Sequence, residues 1–79
     1  MLDVIYRVNM LKNGKWERRA NYATYDEAEL AACGLVTGGK AIQVHILEIG
    51  ANGGRIVADI TSTPKAGWLH GAAAVKRVS

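Results

Sequence analysis

The sequence predicts an α+β fold: a four-stranded antiparallel sheet made of two hairpins, with one helix packed on one face and a short C-terminal tail. Three observations carry the prediction. Alternating segments flank Asn13-Gly14, the strongest short-range signal of a tight hairpin turn. Thr24-Tyr25-Asp26-Glu27 opens a stripe of alanines at helical spacing. Two runs rich in β-branched residues flank Ala51-Asn52-Gly53-Gly54. At 79 residues with 49% apolar composition, twelve of them alanine, the chain has a limited core, and binding a partner or pairing as a homodimer would add to its stability.

Residues 4–11 set Val4, Tyr6, Val8 and Met10 on one side and Ile5, Arg7, Asn9 and Leu11 on the other, the period of a half-buried strand. Trp16 to Tyr22 is the return strand, and its register has two solutions. A two-residue loop pairs Leu11 with Trp16 and Ile5 with Tyr22. A three-residue loop with a bulge pairs Tyr6 with Tyr22 and Val8 with Ala20. The second is preferred, because it separates Val4, Tyr6, Val8, Ala20 and Tyr22 from Arg7, Asn9, Glu17, Arg19 and Asn21.

The helix is expected over residues 25–37. The Thr24 hydroxyl can accept from the third helical amide while Glu27 reaches back, and Asp26, Glu27 and Glu29 suit the positive end of the helix dipole. Ala28, Ala31, Ala32 and Leu35 form the buried stripe, and Gly38-Gly39 ends the element. Ala41 to Ile49 follows as a strand, with Ile42, Val44 and Ile46 opposed to Gln43 and His45. Arg55 to Thr61 is the next, with Ile56, Ala58 and Ile60 opposed to Arg55, Val57 and Asp59. Residues 1–65 therefore form one hairpin-helix-hairpin domain, and residues 66–79 a tail, read as a short helix or irregular chain that Trp68 would dock.

Composition excludes several kinds of chemistry. Cys33 is the only cysteine, which leaves no intramolecular disulfide and no cysteine-based zinc site, and it fits a reducing compartment. No basic flank precedes an apolar run near Met1, so no secretory leader is expected and the cytoplasm is the expected location. His45 and His70 have no carboxylate or cysteine at ligand spacing, so no metal and no cofactor are expected. Gly50, Gly53 and Gly54 join two strands rather than a strand to a helix, unlike a phosphate loop. With no nucleophile setting around Ser62 or Ser79, the chain reads as a non-enzyme.

What remains is surface. Residues 1–23 carry net charge +3 (Arg7, Lys12, Lys15, Arg18, Arg19 against Asp3, Glu17) and residues 24–49 carry −3 (Lys40 against Asp26, Glu27, Glu29, Glu48). The remainder carries +3 (Arg55, Lys65, Lys76, Arg77 against Asp59), so the charge is polarised rather than uniform. Arg7, Lys12, Lys15, Arg18 and Arg19 cluster on the first hairpin with Trp16 at its tip, a combination that serves nucleic acid or an acidic protein surface. The plainer role for these residues is that Trp16 caps the core and the cations guard an edge strand.

The order of signals is a basic hairpin, Tyr22-Ala23-Thr24-Tyr25-Asp26-Glu27-Ala28, an alanine-bearing helix, a glycine break, an isoleucine-valine strand, a glycine-containing hairpin and Ala66-Gly67-Trp68. In this order, over roughly residues 4–68, the chain resembles the small anti-CRISPR proteins of phages and mobile elements directed against type I (Cascade) systems. It is most similar to those that grip the repeated backbone subunits of the surveillance complex. It departs from them in its alanine-rich tail, and it lacks the strong acidity of DNA-mimicking inhibitors. The resemblance implies a non-enzymatic inhibitor that binds the Cascade backbone and blocks target DNA, with basic residues available to hold duplex DNA non-specifically. The alternatives are a small basic DNA- or RNA-binding regulator and a phage accessory protein. No helix-turn-helix, zinc finger or ribonucleoprotein motif supports the regulator.

Overall fold

The computed structural model describes residues 4–63 and 72–78. β1 (Ile5–Lys12) and β2 (Lys15–Tyr22) form the first hairpin, α1 (Tyr25–Thr37) crosses the sheet, and β3 (Gln43–Gly50) and β4 (Gly53–Thr63) form the second hairpin. β5 (Ala72–Arg77) then pairs with β4. Among the described residues the result is an α+β fold with one helix on a five-stranded antiparallel sheet of order β2-β1-β3-β4-β5. No helix among the described residues is long and apolar enough to cross a membrane.

The fifth strand corrects the expected four. Ala72–Arg77 lies in the tail expected to be helical or irregular, yet pairs with Ala58–Thr63 along its whole length. Sheet pairing overrides the helix preference of three alanines because β4 offers a free edge. Arg77 also clamps the strand to the helix: its Nη2 donates to both Glu29 carboxylate oxygens at 3.1 Å and its Nε donates at 3.2 Å. Trp68, expected to dock the tail, lies outside the described residues, as does His70.

The first hairpin corrects the preferred loop while keeping its pairing. Lys12 opposes Lys15 and Leu11 opposes Trp16, so the loop has two residues, with Asn13 at φ 53° and Gly14 at φ 78°. Two consecutive left-handed residues give the turn whose twist matches paired strands. The register then shifts by one, since Asn9 opposes Arg18 and Val8 opposes Ala20. That bulge leaves Arg19 as the extra residue and restores the expected Tyr6–Tyr22 and Val8–Ala20 pairs.

A second bulge, at Val57, changes the expected faces of β4. Ile46 opposes Ala58 while Leu47 opposes Ile56, so Ile56 leaves the core face and Val57 packs on it. Ile42 also departs from expectation: it precedes β3 and is largely exposed.

The helix begins as its sequence dictates. The Thr24 oxygen accepts from the Glu27 amide at 3.3 Å, and its hydroxyl donates to the Glu27 carboxylate at 2.9 Å. Gly39, at φ 75°, ends it: its amide bonds Val36 at 3.1 Å and the Lys40 amide returns to Leu35 at 2.9 Å. Ala28, Ala32, Leu35 and Val36 face the sheet, with Ala31 only half-buried. They pack on Val8, Met10, Val44, Ile46, Ala58 and Ile60. Among the described residues the core therefore lies between α1 and one face of the sheet.

Candidate macromolecular interface

Among the described residues nothing packs on the other face, and strand register assembles it in rows. Arg18, Asn9, His45, Asp59 and Lys76 stand directly opposite one another on the five successive strands. Trp16, Leu11, Gln43, Thr61 and Ala74 form the adjoining row. On the other flank Arg7 faces Asn21 and Leu47, Leu47 faces Ile56, and Ile5 faces Ile49. Each of these residues alternates with one that faces the helix, so all share the open side.

The centre of this face is a ring stack. Trp16 leans across β1 to place its indole over the His45 imidazole, with centroids 4.1 Å apart and planes 16° from parallel. On the far side the His45 Nε2 lies 3.4 Å from Gln43 Nε2 and 3.6 Å from Asp59 Oδ1. Gln43 Nε2 donates to the same Asp59 oxygen at 3.0 Å. Trp16 remains 44% exposed, so the stack leaves much of the indole open to a partner. Asn9 lies between Arg18 and His45, and its Oδ1 is buried with no hydrogen-bond partner among the described residues. An unmade bond of this kind costs about 1–3 kcal/mol.

The carboxylates are sorted between the two layers, whereas cations stand on both, with Lys12, Lys15, Arg55 and Arg77 on the helix side. Asp59 is the one carboxylate on the open face among the described residues, set against Arg7, Arg18 and Lys76. Glu17 opposes Met10 and Glu48 opposes Tyr6, so both stand on the helix side, where α1 adds Asp26, Glu27 and Glu29. The Glu29 carboxyl is held below the usual glutamate range by the neighbouring Tyr25 hydroxyl first, though outside hydrogen-bond geometry, and then by the Arg77 guanidinium, which pairs with it directly. Cys33 is half-buried on α1; burial first, and then Glu29, push its thiol up.

Of the six residues expected to make contact, Arg7, Trp16 and Arg18 come together on the open face. Arg7 is oriented there by its Nε donating to Asn21 Oδ1 at 3.1 Å. Arg19, the bulged residue, follows Arg18 along the exposed edge. Lys12 and Lys15 oppose each other beside the turn and alternate out of the face that Leu11 and Trp16 occupy, so they flank it. Sequence reasoning left Asn9, Gln43, His45, Asp59 and Lys76 out of the contact set. Among the described residues no group of three histidine, cysteine, aspartate or glutamate side chains is placed to hold a metal ion.

Among the described residues, the fold and this face define a two-layer α+β arrangement with an uncovered, cation-bearing sheet surface. Compared with protein-family models, curated proteins and solved structures, the chain matches none.

Proposed function

We propose that this protein acts by binding rather than by catalysis, using the open sheet face and the adjoining basic hairpin to occupy a macromolecular surface. The observation that carries the reading is the exposed Trp16 indole at the centre of an open face on which Arg7, Arg18 and Lys76 outnumber the one described carboxylate, Asp59. An exposed indole flanked by arginines is the combination on which interface energy concentrates. The specific target we propose is the backbone of a type I Cascade complex, with target DNA excluded in consequence. Its support is the order of sequence signals over roughly residues 4–68. In that setting Arg7 and Arg18 meet crRNA-associated or DNA phosphate, and the acidic helix stays clear of it.

The test is target-DNA binding by a purified type I Cascade, followed by gel shift with increasing amounts of the protein. The wild-type chain is expected to abolish the shift, and Trp16→Ala to weaken inhibition at least tenfold, about 1.4 kcal/mol. Arg18→Glu should slow association, more at low salt than at high salt. An undiminished shift at saturating protein rejects the inhibitor reading. A second reading, a small nucleic-acid-binding regulator, is favoured by the ring stack, because an exposed indole face beside cations also receives unstacked bases. Binding to free DNA or RNA without any Cascade would select it.

A further inference from the structure

We infer that the outer edge of β5 pairs with β5 of a second copy, joining two sheets into one of ten strands. The two edges of the sheet differ in how they are guarded. β2 carries a bulge and the charged run Glu17, Arg18 and Arg19, the devices that discourage strand addition. β5 is unbulged, has small or apolar side chains at Ala72, Ala73, Ala74 and Val75, and carries charge only at its end, on Lys76 and the Glu29-paired Arg77. Val75 is 39% exposed, and among the described residues no strand lies beyond it.

The hydrogen-bonding direction of β5 fixes how a second copy would fit. The Val78 amide donates to the Val57 carbonyl at 2.9 Å, which makes Val57 and Val78 a hydrogen-bonded pair in the register that runs on through Ala58 and Arg77. Hydrogen-bonded pairs alternate along an antiparallel ladder, so Lys76, Ala74 and Ala72 also turn their backbone groups toward β4. The Thr63 hydroxyl, which donates to the Ala72 carbonyl at 2.9 Å, and the Ser62 amide, which turns to Ile42 on the opposite side at 3.0 Å, agree with that alternation. Ala73, Val75 and Arg77 are left with their amides and carbonyls pointing outward.

These three groups are self-complementary about Val75. With a two-fold axis normal to the sheet, Val75 pairs with the partner's Val75, and Ala73 with the partner's Arg77, each as a doubly bonded pair. The same register sets Ala74 opposite the partner's Lys76, so no like charges oppose each other. Each Arg77 is already neutralised by Glu29 of its own chain. Both helices fall on one side of the joined sheet and both open faces on the other. Strand spacing puts the centres of the two open faces about 24 Å apart, a bivalent surface.

Sedimentation of the full chain across micromolar to millimolar concentration should reveal a dimer, and amide exchange by NMR should locate it. Val75 and Arg77 amides should become protected only in the dimer, whereas those of Ala74 and Lys76 should be protected in both states. Val75→Pro removes an outward donor and no bond to β4, and should raise the dissociation constant about 30-fold, the loss of two hydrogen bonds. Val75→Lys keeps every backbone group, sets two ammonium groups on the axis and should have at least as large an effect; it decides the matter if proline frays β5. A monomer at every concentration overturns the inference, as does a dimer that Val75→Lys leaves intact.

Discussion

Asn9 and Trp16 show how single residues on the open face trade stability for a usable surface. Asn9 holds a buried oxygen without a partner, in the middle of a strand where a β-branched residue would pack better. Asn9→Val should therefore raise stability by about 1 kcal/mol, read as an increase in thermal midpoint. If Asn9 is kept for contact, the same variant should bind its partner less well, the usual cost of stabilising a functional position. An Asn9→Val protein that melts lower would show that the carboxamide is satisfied in solution. Trp16 presents the opposite balance. Its indole is already half in water and rests on His45, so its removal should cost folding little and binding much.

The elements differ in how legible they were, and the differences follow from where their determinants lie. α1 was readable because its cap at Thr24, its acidic first turn and its Gly38-Gly39 stop are all local in sequence. Its packing depends on small residues: Ala28 and Ala32 are fully buried against the sheet, so Ala32→Leu should destabilise by about 1–3 kcal/mol in chemical denaturation, with the helix forced off the strands. The faces of β2 and β4 were less readable because each contains a bulge, and the extra residue inverts the alternation on one side of it. β5 was missed altogether, since alanines carry no strand signal and the edge that recruits them is supplied by β4. The Glu29–Arg77 clamp that secures β5 is also pH-dependent. With its folded value depressed, Glu29 contributes stability at neutral pH; that contribution falls as pH drops below the usual glutamate range and is lost below the folded value. Wild type and Glu29→Gln should accordingly differ in melting temperature near neutrality and converge in acid; a constant difference would mean that the clamp does not titrate.

At the scale of the whole molecule, the sheet converts scattered sequence positions into one surface. Arg7, Trp16 and Arg18 could be grouped from the first hairpin alone, because cations and an aromatic crowd a short stretch of chain. His45, Asp59 and Lys76 could not, since they reach Asn9 and Arg18 only through the pairing of β1 with β3 and onward to β5, contacts between segments far apart in sequence. The same topology turns every described carboxylate except Asp59 toward the helix side and leaves the open face with an excess of cations. The central claim, that the open face is where a partner binds, can be read directly by methyl NMR on the chain mixed with purified type I Cascade. The methyl groups of Ile5, Leu11, Leu47 and Ile56 and the Trp16 indole should shift or broaden, while Leu30 on the outer side of α1 stays unchanged. Perturbation of Leu30 with the open-face signals unmoved would contradict the account, as would a spectrum that does not change at all.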